Sequence, residues 1–207
     1  MKRIWDISPQ VSEQSPIFPG DEPFRLKWTA RLSADCPVNL SAITMSPHVG
    51  AHADAPLHYA NGAASSAEVE LQAYLGPCRV IHAINCGPLI QIEHLRHAAA
   101  LMPARVLVRC CQSADTEWNP DFSAFAPDTV DWLAGLGVKL IGLDTPSVDP
   151  ASSKLLASHQ QLLRLNLRVL ENLVLDEVAE GDYELIALPL KLAGACASPV
   201  RAILREL

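Results

Sequence analysis

Short apolar or alternating runs recur along this chain, separated by Pro, Gly and acidic breaks. The runs at 25–32, 38–45, 79–84, 105–110, 138–143, 165–170, 184–190 and 200–204 have the length and content of β-strands. Helical patterns fall between them at 67–75, 92–101, 128–136 and 152–164, with Gly137 as a stop signal behind the third. The stretch 11–24, rich in Pro, Gly and acidic residues around Phe18, reads as a surface loop. A second long loop, 112–128, carries Trp118 and is either a packed surface loop or a substrate lid. Strands outnumber helices and lack regular βαβ alternation. The pattern therefore predicts an α/β protein of mixed type, with a partly barrel-like sheet and surrounding helices.

Composition narrows the setting. The chain has 207 residues, 49% of them hydrophobic, enough to bury about 70% of the unfolded surface in one core. No repeat or linker divides it, so a single domain over residues 1–207 is expected. The formal net charge is -7, and Lys and Arg are dispersed, which argues against nucleic acid or an anionic membrane as partner. The start, Met1-Lys-Arg-Ile-Trp-Asp, turns polar before a signal region develops, and no apolar run approaches membrane-spanning length. A cytoplasmic protein is expected. The six cysteines include no C-x-x-C pair and sit mostly in apolar surroundings, as small core residues rather than disulfide partners.

The chemistry concentrates in His48-x3-His52-x-Asp54-x3-His58, which holds three of the seven histidines. All offsets are even, so an extended segment projects the four side chains to one side. A helix would turn Asp54 away from the His48/His52 face, and Gly50 and Pro56 interrupt it. An irregular extended segment or loop that gathers ligands follows. A lone histidine is usually a surface or hydrogen-bonded core residue, but imidazoles clustered with a carboxylate suit zinc or a similar divalent ion. Three ligands and an open position let zinc bind water and lower its pKa to about 7, leaving the fourth side chain for proton transfer. Downstream, His159 lies near the end of a predicted helix and Glu171 just after a predicted strand. Alone they read as a helix decoration and a solvated charge. Beside the first cluster they can hold a second ion, because a carboxylate such as Asp54 can bridge metals about 3.5–4 Å apart.

The stretch Ser46-Pro-His-Val-Gly-Ala-His-Ala-Asp-Ala-Pro-Leu-His58 resembles the signature of the metal-dependent cyclase-like hydrolase family, in particular its bacterial kynurenine formamidases. Further landmarks run the full length: Asp6-Ile-Ser-Pro, Phe18-Pro-Gly-Asp, Gly142-Leu-Asp-Thr-Pro-Ser-Val-Asp149, Ser158-His159, Leu170-Glu171-Asn-Leu, Leu188-Pro-Leu-Lys-Leu and Ser198-Pro-Val-Arg201. The resemblance implies hydrolysis of N-formyl-L-kynurenine, an aryl formamide, to L-kynurenine and formate in tryptophan degradation. It also implies a homodimer of the cyclase-like fold with two zinc ions (Zn2+) per chain. On the matching positions, His48, His52 and Asp54 are ligands of the first metal and Asp54, His159 and Glu171 of the second. His58 is the acid/base. Phe18 is an aromatic substrate contact, or a hydrophobic anchor for its loop.

Two positions depart from the pattern, Ala51 where threonine is usual and Cys196 where an acidic residue is expected, and both bear on the support of the ligands. Two other functions compete. A hydrolase of another cyclic or aryl amide such as isatin would use the first cluster equally well, and a non-catalytic metal-binding module would not need His58 free. A serine hydrolase is disfavoured because no Gly-x-Ser-x-Gly elbow is present.

Overall fold

A computed structural model describes residues 2–207. The strands are β1 (Ile4–Asp6), β2 (Arg25–Ala30), β3 (Leu40–Thr44), β4 (His52–Asp54), β5 (Leu75–His82), β6 (Leu89–Ile90), β7 (Arg105–Arg109), β8 (Ala124–Phe125), β9 (Leu140–Leu143), β10 (Arg168–Glu171), β11 (Gly181–Ile186), β12 (Ala197–Pro199) and β13 (Ile203–Arg205). The helices are α1 (Ile92–Leu95), α2 (Pro127–Gly135) and α3 (Ala157–Leu165). Nine strands form one half-barrel sheet in the order β1-β13-β11-β5-β7-β9-β10-β4-β12. The centre, β5-β7-β9-β10, is parallel and both flanks are antiparallel. The architecture is the mixed α/β one that the pattern predicts.

The parallel strands read as continuous apolar runs because both of their faces are buried. Val80, Leu107, Leu140 and Leu170 face one core cluster, while Ile81, Val106, Val108, Ile141 and Val169 face the other, which includes Val130, Leu133 and Leu162 from α2 and α3. Successive side chains thus alternate between the two cores. The β2–β3 hairpin stands apart as a separate two-stranded sheet, with Leu26, Trp28, Leu40 and Ile43 exposed.

Several predicted elements shift, for identifiable reasons. The expected helix at 67–75 is only a 3-10 turn at Leu71–Tyr74. Arg105 reaches in from β7, its Nε donating to Ala73 O at 2.7 Å and its Nη2 to Gln72 O, carbonyls that a continuing helix would use. The helix expected at 92–101 is α1 followed by a 3-10 turn at Arg96–Ala98, where Arg79 Nη1 donates to Ala98 O and Ala100 O, each at 2.7 Å. The helix expected from residue 152 starts at Ala157, because the Asp149 carboxylate accepts the N–H groups of Ser158 and His159, both at 2.9 Å, and fixes its first turn. His159 therefore lies near the start of its helix, not the end. Leu165 belongs to α3, and the strand expected at 165–170 begins at Arg168 and includes Glu171.

Candidate active site

The site grows from one register. In β4, His52 and Asp54 sit two residues apart and share a face, and β10 places Glu171 directly opposite His52. On that face α3 covers the sheet and contributes His159, whose Nε2 lies 3.3 Å from Asp54 Oδ2 and 3.8 Å from Glu171 Oε1. These four side chains are buried. The other two histidines come from turns, not from one long extended segment. His48 precedes the strand and His58 ends a 3-10 turn, Pro56–His58, with Pro56 in its first turn where a missing N–H costs nothing. Gly50 makes the bend between His48 and His52 with φ +70°, and a Cβ there would lie 2.7 Å from Val11 Cγ2.

His48 Nδ1 lies 3.0 Å and His52 Nε2 3.5 Å from Asp54 Oδ1, and His52 Nε2 lies 3.2 Å from Glu171 Oε2. Despite this proximity, His52 Nε2 and Asp54 Oδ1 are buried without an aligned hydrogen bond. A buried nitrogen and a carboxylate oxygen unsatisfied by protein and facing one another are what a cation would satisfy. The donor atoms of His48, His52 and Asp54 lie within 4.8 Å of one another, as do those of Asp54, His58 and His159. The donor set fits a divalent metal cofactor.

Neighbours aim the rings. His52 Nδ1 lies 2.9 Å from Gly50 O, which can only accept, so Nδ1 carries the hydrogen and Nε2 faces inward. His159 Nδ1 donates to Asp149 Oδ2 at 2.7 Å, leaving its Nε2 toward Asp54. Glu171 Oε1 accepts the Val148 N–H at 2.8 Å. Burial works to raise the Asp54 pKa, but His159, His48 and His52 outweigh it and hold the carboxyl well below its usual range. Burial opposes charge on His159 too, yet Asp149 and Asp54 raise it to about 10; Asp54 and Cys196 do the same for His48. His58 differs. Burial dominates there and holds it below the ordinary imidazole value, so it is neutral near pH 7.

A cavity of about 570 Å³ opens onto these side chains. Its wall includes Phe18, Trp118 and Phe122, with Phe18 and Trp118 edge to face at 5.2 Å between ring centroids. The structure thus brings all the sequence-predicted side chains, His48, His52, Asp54, His58, His159, Glu171 and Phe18, to one cavity and its floor. The sequence assigned no role to Asp149, a carboxylate ten residues before a candidate ligand histidine, or to Trp118, which it placed only in a loop open to two interpretations.

The chain belongs to the Cyclase family, whose model matches residues 5–150. Within reach of that class its similarity is narrower. It is 67% identical to the kynurenine formamidase of Bordetella avium (strain 197N) over 208 residues, covering 100% of both chains. It is 65% identical to that of Delftia acidovorans over 206 residues, covering 100% of this chain and 99% of the other. Among solved structures it is similar to a predicted metal-dependent hydrolase from Bacillus stearothermophilus, with TM-score 0.86 and 25% identity over 100% of both chains. Isatin hydrolase A from Labrenzia aggregata shares the fold, with TM-score 0.85 at 21% identity, covering 99% of this chain and 94% of the other. No helix among the described residues is long and apolar enough to cross a membrane.

Proposed function

We propose that this chain is a metal-dependent arylformamidase that hydrolyses N-formyl-L-kynurenine to L-kynurenine and formate in tryptophan degradation. The observation that carries the proposal is full-length identity of 67% to a kynurenine formamidase, in a chain that gathers a buried His and carboxylate donor set under an aromatic-walled cavity. His48, His52 and Asp54 are assigned to one ion, and Asp54, His159 and Glu171 to a second. Zinc fits both sets, with two ions per chain.

When bound, the metal supplies Lewis acidity toward the formyl oxygen and activation of water near neutral pH. The protein's own groups handle the protons and the orientation. His58 is neutral, faces the cavity and lies with Nε2 3.9 Å from Asp54 Oδ2, so it is placed to take a proton from the attacking water. The same Nε2 then delivers that proton to the aryl amine nitrogen as the C–N bond breaks, because an anilide anion leaves poorly. Asp54 holds the opposite charge nearby and steadies the imidazolium between the two transfers. Phe18 and Trp118 flank the aryl ring and exclude water.

The remaining assignments have their own support. The two apolar clusters lie on opposite faces of one sheet, which favours a single domain over residues 1–207. The exposed apolar face of the β2–β3 hairpin favours a homodimer. All six cysteines are free, which suits the cytoplasm.

The deciding experiment is an assay of the zinc-reconstituted chain against N-formylkynurenine, N-formylanthranilate and isatin, with kynurenine followed by absorbance. Preference for N-formylkynurenine is expected. Turnover of isatin in its place would reassign the substrate, and metal binding without turnover of any of the three would make the chain a binding module.

A further inference from the structure

Of the four imidazoles beside the Asp54 carboxylate, the three assigned as ligands each have the outer nitrogen beside a different kind of atom. His52 is held by a backbone carbonyl and His159 by the Asp149 carboxylate. His48 presents Nδ1 to Asp54 Oδ1 at 3.0 Å, and its Nε2 lies 3.4 Å from Cys196 Sγ. The sulfur's location is fixed by backbone. Cys196 O accepts the Ala55 N–H at 2.9 Å, and the next residue, Ala197, is paired with Asp54 in the sheet.

We propose that Cys196 is the positioning residue for His48: its sulfur accepts the Nε2–H and turns the Nδ1 lone pair toward the cation. This rests on the assignment of His48, His52 and Asp54 as ligands. Which ring nitrogen ligates a metal is set by what the other one bonds, and such outer partners are worth 10–100-fold in metal affinity. Sulfur is a weak acceptor beside a carboxylate. His48 is therefore the most loosely aimed of the three imidazoles, and the ion it holds is the more easily withdrawn one.

The test uses the metal-free full chain, titrated with Zn2+ against a chromophoric chelator and separately with Co2+ followed spectroscopically. Cys196→Ala should weaken binding of one ion about 10–100-fold, and Cys196→Asp should restore or tighten it, with the other ion's affinity unchanged in both. Circular dichroism and a melting curve on each variant separate weaker binding from misfolding, and Cys196→Ser provides a near-isosteric second variant. The Co2+ protein should show no sulfur-to-cobalt charge-transfer band. An intense near-ultraviolet band that vanishes in Cys196→Ser would make Cys196 a ligand and overturn the proposal. Equal affinity in wild type, Cys196→Ala and Cys196→Ser would overturn it too, while leaving the ligand assignment standing. Failure of the wild type to bind either metal would bring down the ligand assignment itself.

Discussion

The two halves of the site are built from different material. His52, Asp54 and Glu171 stand on the paired strands β4 and β10 toward one end of the sheet and His159 on the capped first turn of a helix; all are buried. His58, Phe18 and Trp118 stand on turns and loops around the cavity mouth, with side-chain exposure of 34% at His58, whereas His48, also on a turn but only 18% exposed, is assigned to the inner ligand set. Charged donors that must not move are placed where the sheet's hydrogen bonds fix them. Groups that meet substrate or pass protons are placed where some motion is available.

If that division holds, substitutions in the inner half remove metal and activity together, while those in the outer half separate them. Asp54→Ala, which takes a carboxylate from both ligand sets, should abolish metal retention and reduce turnover to background, with elemental analysis and assay on one preparation as the check. His58→Ala should keep its metal yet lose about 10²–10⁴-fold in turnover, the range for a positioned acid or base. Parallel loss of metal and turnover in His58→Ala would move His58 into the ligand set and erase the boundary. Asp149→Asn keeps the size of the group that aims His159 but not its charge, and should lower affinity for one ion about 10–100-fold in a chelator competition. Phe18→Ala and Trp118→Ala should leave metal content intact and raise KM by roughly 2–13-fold, the worth of one aromatic contact of about 0.5–1.5 kcal/mol.

The subtlest readout is the pH dependence of melting in the metal-free chain. His48 and His159 rise from 6.5 to about 10 on folding, so their protonated forms contribute stability that is fully present below about pH 6.5. That contribution is lost as pH rises through about 10. The metal-free protein should accordingly melt lower near pH ~9 than near pH ~7. Zinc, which takes the place of those protons, should flatten the difference.

Which parts of this were legible in the sequence follows from how local their causes are. The strands β7 and β9 were visible because burial on both faces leaves continuous apolar runs. The grouping of His48, His52, Asp54 and His58 was also visible, but only His52 and Asp54 owe their common face to an extended strand. His48 and His58 reach the same place through the Gly50 bend and the Pro56 turn. The lost helix at 67–75 was not legible, because the guanidinium that takes its carbonyls comes from residue 105. For the same reason neither the Asp149 bond to His159 nor the Phe18–Trp118 contact is written in local spacing; both depend on how the fold brings separate segments together.

Strand β4 lies between β10 and β12, so the histidine segment from the first third of the chain is clasped by strands near its end. A ribosome delivers both of those strands well after β4. During synthesis His52 and Asp54 leave the exit tunnel long before Glu171, and the Ala197–Pro199 strand that closes the far side follows later still. The proposed ligand set is therefore joined only by a long-range pairing, which chain growth cannot close before β10 has emerged. A premature stop before β12 would leave β4 as an open sheet edge, a template for pairing with another chain.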